Sequence, residues 1–228
     1  MYERKYHKHI SARHNWFDLK LNEVWQYRDL IFLFTQKNFT VSYKQTILGP
    51  LWLFINPLLT SVMYMVVFGN IAKLGTDGIP QLLFYLSGNA VWSYFAACLN
   101  GNVATFTSNA RLFGKVYFPR LTVPISNVLC SVIRFGIQML LVVILLGYYI
   151  WKGAVSPHWE ALLLIFLLLL WLGCMGMGVG ILISSVTTKY RDLSVLVGFG
   201  MSLLQKFLNK WTIFLFCSIL FSSNQKEH

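Results

Sequence analysis

The chain has 228 residues, of which 56% are apolar and only 12% are charged, and its formal net charge at pH 7 is +11. Soluble domains carry about 25% charged residues, so this composition excludes an ordinary water-soluble fold and favours a membrane protein. A positive charge of this size is also typical of nucleic-acid-binding proteins. The positions of the basic residues argue against such a partner.

Basic residues are concentrated in alternate polar segments of the chain. Of the 19 Lys and Arg residues, eight lie within residues 1–44, three within 102–121 and two within 187–193, whereas the intervening loops hold only Lys73 and Lys152. An excess of Lys and Arg on the cytoplasmic side is the usual rule for membrane proteins. The pattern therefore predicts a multi-pass protein with a cytoplasmic N-terminus.

The first predicted element is a helix within a polar, cytoplasmic arm of residues 1–49. Residues 15–44 carry an imperfect apolar stripe beside charged residues, which is typical of an amphipathic helix that lies along the membrane interface. A soluble cap helix is the alternative interpretation. Gly49 and Pro50 are expected to break this helix, because both residues disrupt regular helical geometry.

Four long apolar segments follow the arm. A helix rises 1.5 Å per residue, so about 20 residues cover the roughly 30 Å hydrocarbon core of a bilayer. We expect an all-α membrane protein, a polytopic transmembrane helical bundle over residues 50–221 with the N-terminal interfacial amphipathic helix, and a polar tail at 222–228. The predicted spans are about 51–71, 81–101, 122–150 and 160–186.

A fifth span over residues 193–221 stays uncertain. Its two apolar pieces are too short to cross a bilayer alone, and Lys206 and Lys210 lie between them. Joined into one span, they would hold both lysines near the middle of the membrane, at about 2.5–3.5 kcal/mol each on insertion scales.

The sequence lacks the residue patterns of an enzyme. No carboxylate or histidine lies in the interior of the four predicted spans, since Glu160 is at the very start of the fourth, and this argues against a proton relay or a membrane-embedded hydrolase or transferase. Gly114 and Lys115 are followed by Val116 rather than Ser or Thr, so they do not form a phosphate-binding loop. We expect no catalytic residue, no metal and no cofactor, and any energy for transport would come from another subunit.

Two isolated features are interpreted as packing. The cysteines are widely spaced in apolar surroundings, so we interpret them as small buried hydrophobic residues (Cys98, Cys130, Cys174 and Cys217). Gly176 and Gly180 have the spacing that allows two helices to approach closely.

Three stretches occur in an order that carries a family resemblance. They are YRDLIFLFTQKNFTVSYKQTILGPLWLFINPL at 27–58, GKVYFPRLTVPIS at 114–126 and YRDL at 190–193. Over roughly residues 20–200 the chain resembles the membrane subunit of type-2 ABC exporters for cell-surface polysaccharides, such as O-antigen and teichoic acid. The resemblance implies a homodimeric permease of the bacterial cytoplasmic (inner) membrane that works with a separate ATPase chain. Its substrate would be a lipid-linked glycan, and it would be surrounded by membrane lipid.

The resemblance also implies where the ATPase docks. The first cytoplasmic loop would carry a coupling helix over 109–120 that ends at Pro119, although its basic residues could serve only to set the orientation of the chain. The implied coupling residues are Asn109, Arg111, Lys115, Tyr117, Phe118, Pro119 and Arg120, and the second cytoplasmic loop contributes Tyr190, Arg191 and Asp192.

A glycan conduit would need aromatic and polar groups inside the spans. Aromatic faces suit the apolar faces of sugar rings, and nearby amides (Asn56, Asn89 and Asn100) could donate hydrogen bonds; packing against lipid or other helices is the alternative. Arg134 is the one charge in the middle of a predicted span, and it either faces the conduit or pairs with backbone carbonyls. The candidate conduit residues are Tyr64, Trp92, Tyr94, Arg134 and Trp171.

Three alternatives remain open at this stage. The cargo could be a drug or another lipid rather than a glycan, and a membrane-embedded glycosyl- or phosphotransferase is a further candidate. The third alternative follows from the C-terminus, where the likeness ends after about Met201 although the family continues with further spans and a tail. We therefore expect a truncated or frameshifted chain, which could be a non-transporting remnant.

Overall fold

The computed structural model describes residues 21–44, 48–71, 79–153, 161–188, 192 and 195–203. All regular secondary structure in these ranges is helical, which confirms the predicted all-α membrane class. The helices are α1 (Leu21–Gln26), α2 (Arg28–Tyr43), α3 (Trp52–Tyr64), α4 (Gln81–Val103), α5 (Thr105–Ser108), α6 (Ala110–Lys115), α7 (Thr122–Trp151) and α8 (Ala161–Thr187).

Four of these helices are long and apolar enough to cross a membrane by length and composition. They fall on the four predicted spans, with ends that differ by a few residues. The qualifying segments are Trp52–Gly69, Gln81–Val103, Thr122–Trp151 and Ile165–Thr187. Within the uncertain fifth span, residues 195–203 are helical, whereas 204–221 and the predicted tail lie outside the described residues.

The N-terminal helix packs lengthwise on α7. The predicted helix over 15–44 is interrupted at Tyr27, between α1 and α2, and residues 15–20 lie outside the described ranges. The Thr35 hydroxyl donates to the Ser126 carbonyl at 3.3 Å, and Arg134 donates to the Ser42 hydroxyl at 2.8 Å. Residue numbers rise together along both helices, so α2 runs in the same direction as the first half of α7. Its position at a membrane interface stays a prediction.

A tight turn directly precedes α3. Gly49 has a φ of +50°, a conformation that glycine adopts without steric cost, and it begins a short 3-10 turn over Gly49–Leu51. Helix α2 already ends at Tyr43, so the predicted position of the helix end at Gly49 and Pro50 is wrong. Within α3, Pro57 lies inside the helix, and the Ser61 hydroxyl donates to its carbonyl at 2.7 Å. A π-helical segment, Met65–Ile71, continues α3.

Helix α4 lies at the centre of the bundle, between α3, α7 and α8, and is the most buried of the four long helices. Helix α8 approaches it through glycines. A Cβ atom added at Gly176 would lie 2.9 Å from the Cys98 Cβ, and one added at Gly180 would lie 2.6 Å from the Asn102 Cβ. The predicted role of this glycine pair in close helix packing agrees with the structure.

The cysteines differ in their environments. Cys98 and Cys130 are buried, as expected for small hydrophobic residues. Cys174 is exposed on α8, so the interpretation as a buried residue is wrong for this cysteine. Its apolar surroundings in the sequence reflect the exposed, apolar surface of α8 rather than burial inside the chain. Cys217 lies outside the described residues.

The glycine contacts predict a position-specific effect on stability. Gly180→Ala should lower the free energy of unfolding by about 1–3 kcal/mol, because the added methyl group overlaps the α4 backbone at the Leu99 carbonyl, 2.9 Å away. The measurement is denaturant unfolding of the detergent-solubilised chain, followed by circular dichroism.

Gly178→Ala is the matched control, because a Cβ atom at Gly178 meets nothing within 4 Å. Alanine favours a helix over glycine by roughly 0.5–1 kcal/mol, so this variant should be equally stable or slightly more stable. Equal effects of the two substitutions would contradict the close packing at Gly180.

Candidate functional site

Two adjoining cavities lie between α2, α3, α4 and α7. The first, here called the Trp52 cavity, has a volume of about 330 Å³, and the second, the Lys37 cavity, about 410 Å³. Both volumes lie within the range of about 300–1,000 Å³ that is usual for ligand pockets. Ala97, Ser131 and Arg134 line both cavities, so the Arg134 side chain lies where they meet.

The Trp52 cavity is lined by aromatic rings and side-chain amides. The Ser93 hydroxyl donates to the Gln138 Oε1 at 2.8 Å, which links α4 to α7 across the cavity wall. Only Tyr94, Arg134 and two of the amides had been predicted as conduit residues or their neighbours. The aromatic and amide residues are Tyr43, Trp52, Tyr94, Phe135, Asn56, Asn89 and Gln138.

Arg134 is partly buried and has a hydroxyl partner rather than a carboxylate. Its Nη2 donates to the Ser42 Oγ at 2.8 Å, and its Cζ lies 5.8 Å from the centre of the Tyr43 ring. The Nε is buried and has no hydrogen-bond partner among the described residues. The guanidinium therefore faces the cavities with unused donor capacity within the described structure.

Burial keeps the Tyr43 phenol neutral despite the neighbouring Arg134 guanidinium. Burial raises the pKa of the Tyr43 phenol above its usual value of 10.0, and the Arg134 guanidinium only partly opposes that increase. The phenol therefore remains protonated at neutral pH. It offers both a ring face and a hydroxyl group at the edge of the Trp52 cavity.

An asparagine network holds the walls of the Lys37 cavity together. The Asn38 amide donates to the Asn127 Oδ1 at 2.9 Å, and the Asn127 amide donates to the Gly101 carbonyl at 2.8 Å. These bonds join α2 to α7 and α7 to α4. Asn38, Asn127 and Gly101 all line the cavity, so the network fixes its shape.

The structure does not bring all the predicted conduit residues together. Tyr94 and Arg134 line the Trp52 cavity, although the Tyr94 side chain is only 3% exposed. Trp92 is 4% exposed within α4, Tyr64 packs on Phe68 with ring centres 5.8 Å apart, and Trp171 is 60% exposed on α8. These last three residues line neither cavity, and their contact with a glycan stays a prediction.

The segment between α4 and α7, here called the α4–α7 loop (residues 104–121), combines an exposed face with a buried anchor. Phe118 is 7% exposed and packs between Phe34 of α2 and Phe113 of α6, with ring centres 5.9 and 5.4 Å away. Asn109, also predicted here, donates from its amide to the Thr105 carbonyl at 2.9 Å. The predicted coupling residues with exposed side chains are Arg111, Lys115, Tyr117 and Arg120.

The predicted end of the coupling helix is wrong. Helix α6 ends at Lys115, and Val116 has an extended backbone, whereas the sequence had placed the end at Pro119. Residues 116–119 are therefore a non-helical connection. The extended backbone at Val116 ends the helix before the proline is reached.

The end of α8 lies beside the start of the α4–α7 loop. The Phe106 amide donates to the Ser184 hydroxyl at 3.2 Å, and the Thr187 hydroxyl donates to the Val103 carbonyl at 3.3 Å. The second predicted loop follows α8 directly, so it begins at the same end of the bundle. Asp192 of that loop is exposed, whereas Tyr190 and Arg191 lie outside the described residues.

Metal-binding chemistry finds no support in the described ranges, where no group of three His, Cys, Asp or Glu side chains comes together. The site instead consists of two cavities beside α2, each lined by both polar and apolar groups, and an exposed basic loop at one end of the bundle.

Comparison with known proteins identifies the family. The family model for ABC-2 type transporters matches residues 29–223. The chain is 30% identical over 177 residues to an O-antigen export system permease protein RfbA from Klebsiella pneumoniae, covering 77% of this chain and 66% of the relative. A protein with the same name from Myxococcus xanthus is 25% identical over 178 residues, covering 78% of this chain and 65% of the relative. The chain thus spans slightly less than two thirds of the length of these relatives. Because the family model covers most of the sequence, this chain belongs to the ABC-2 type transporter family.

Proposed function

We propose that this chain is the permease subunit of an ATP-driven exporter that moves a lipid-linked surface polysaccharide across the bacterial cytoplasmic membrane. Family membership and relatives that are named O-antigen export permeases support this proposal. The observation that carries it is the Trp52 cavity, which is lined by aromatic rings and amides within a bundle of apolar helices.

The lining of the Trp52 cavity suits a sugar better than an apolar cargo. Rings such as Trp52 and Tyr43 present flat faces for the apolar side of a pyranose, and amides such as Asn56 and Gln138 both donate and accept hydrogen bonds. Arg134 is the only charged residue in the lining that the structure describes. A neutral, hydroxyl-rich chain satisfies these groups, whereas a purely apolar drug would leave the amides without partners.

A separate ATPase would supply the energy. The α4–α7 loop presents Arg111, Lys115 and Arg120 to solvent, next to the exposed Tyr117 ring, while Phe118 fixes the loop to α2. An exposed basic and aromatic surface on a fixed support is suited to binding a protein partner, because little ordering cost remains to be paid on association.

A homodimer would complete the conduit. Large apolar side chains of α3, including Leu59 and Met63, are exposed on the same helix that lines the Trp52 cavity. A second copy or membrane lipid must cover such side chains. We place the glycan path between two copies, with the N-terminus of each in the cytoplasm, in keeping with the distribution of basic residues.

The Trp52 cavity predicts a loss of export after removal of its aromatic wall. Trp52→Ala should lower the export rate about 2- to 10-fold, because an aromatic contact contributes roughly 0.5–1.5 kcal/mol. The measurement is the appearance of surface polysaccharide in cells, normalised to the amount of permease in the membrane. Trp151→Ala is the control, since Trp151 is exposed at the end of α7 and lines neither cavity. Equal export by both variants would contradict a conduit through this cavity.

The α4–α7 loop predicts a charge-dependent ATPase contact. Reversal of two exposed charges, Arg111→Glu with Arg120→Glu, should abolish co-purification of the ATPase because like-charge or unpaired contacts replace favourable ones. Membrane insertion should be unchanged. Lys152→Glu, a reversal at the opposite end of α7, should retain the ATPase. Undiminished co-purification by the double variant would exclude this loop as the docking site.

A further inference from the structure

The Lys37 cavity differs from the Trp52 cavity in its charge. Two cationic side chains, Lys37 and Arg134, line it, and its lining contains no carboxylate. The remaining polar groups in the lining are neutral hydroxyls and amides, including Ser42, Asn127 and Ser131. Two like charges beside one cavity, without a compensating acid among the lining residues, favour an anionic ligand.

The donors of Arg134 suit a tetrahedral oxyanion. The guanidinium group is planar and presents a fork of N–H donors that matches the oxygens of a phosphate. In the described structure its Nη2 donates to Ser42, the Cys130 thiol lies beside the guanidinium, and the buried Nε has no hydrogen-bond partner. A buried donor without a partner is costly, and a phosphate oxygen would satisfy it.

Apolar groups line the same cavity. Phe34 and Val41 of α2, Ala97 of α4 and Val123 of α7 contribute to its wall, beside the cationic groups. A ligand that carries a charged phosphate on an apolar chain matches both parts of this lining. Inorganic phosphate would use only the polar part.

We propose that the Lys37 cavity is a binding site for the phosphate group of a membrane amphiphile, with Arg134 and Lys37 as its cationic ligands. A lipid carrier of the glycan and an anionic phospholipid headgroup both supply this chemistry. Assignment to the carrier rests on the proposed export function. In that arrangement the phosphate lies beside Arg134 and the first sugars extend into the Trp52 cavity.

The test measures binding of phosphate amphiphiles to the full-length chain, purified in a neutral detergent. Tritiated farnesyl diphosphate is the probe, and dioctanoyl phosphatidic acid, inorganic diphosphate and uncharged farnesol are the competitors. Arg134→Gln should weaken binding of farnesyl diphosphate about tenfold or more, as expected for loss of a charge-assisted hydrogen bond. Lys37→Gln should weaken it about two- to fivefold, because the Lys37 side chain is exposed to solvent.

Two further variants separate the charge effect from damage to the fold. Arg134→Lys keeps the charge but lacks the planar fork, so its affinity should lie between those of the original chain and Arg134→Gln. Lys152→Gln removes an exposed cation from the end of the same helix and should bind like the original chain. Size-exclusion profiles establish that each variant is folded. If Arg134→Gln does not fold, the binding affinities of Lys37→Gln and Arg134→Lys still test the phosphate site.

The competitors identify the source of the phosphate. Stronger competition by unlabelled farnesyl diphosphate than by phosphatidic acid supports a lipid carrier, whereas equal competition supports a bilayer headgroup. If inorganic diphosphate competes as strongly as unlabelled farnesyl diphosphate, the site binds free phosphate groups, and the proposal of an amphiphile as the ligand is overturned. Equal potency of farnesol, absence of binding, or equal affinity with and without Arg134 would overturn the phosphate site.

An export measurement keeps this inference separate from the proposed function. Loss of surface polysaccharide on deletion of the gene, together with binding that does not depend on Arg134, would retain the export function and reject the phosphate site. Binding that depends on Arg134, together with an unchanged amount of surface polysaccharide after deletion of the gene, would retain the phosphate site and reject the export function.

Discussion

The side-chain amide of Asn127 joins three of the four helices that form the cavities. It accepts a hydrogen bond from Asn38 on α2 and donates one to the Gly101 carbonyl on α4, while Asn127 itself belongs to α7. Between apolar helices such bonds are stronger than in water, and an unpaired amide would be costly. The spacing of α2, α4 and α7 at the Lys37 cavity therefore depends on this polar contact.

The two cavities differ in the chemical groups that they present to a ligand. The Trp52 cavity offers aromatic faces and amides, and the Lys37 cavity offers two cations with apolar neighbours. Arg134 lines both cavities, so its side chain lies at the boundary between a lining suited to sugars and a lining suited to phosphate. The sequence showed only an isolated charge at this position, because the groups around it come from helices distant along the chain.

Features that depend on local sequence could be predicted, whereas features that depend on tertiary contacts could not. Uninterrupted apolar runs indicated four long helices, and the spacing of Gly176 and Gly180 indicated close packing before any partner helix was known. The lengthwise packing of α2 on α7 depends on hydrogen bonds between residues about 90 positions apart, such as Arg134 to Ser42, and no local pattern encodes them. The same reason explains why Gln138 was missed as a lining residue and why exposed Cys174 was taken as buried.

The bonds between the end of α8 and the α4–α7 loop have a mechanical consequence. Ser184 and Thr187 hold this end to Phe106 and Val103, and glycine contacts hold the helix to α4 farther along. A force that acts on the loop is therefore transmitted to both α4 and α8, rather than to one helix alone. If the loop moves, either α4 and α8 tilt together as one rigid unit, or the hydrogen bonds of Ser184 and Thr187 break.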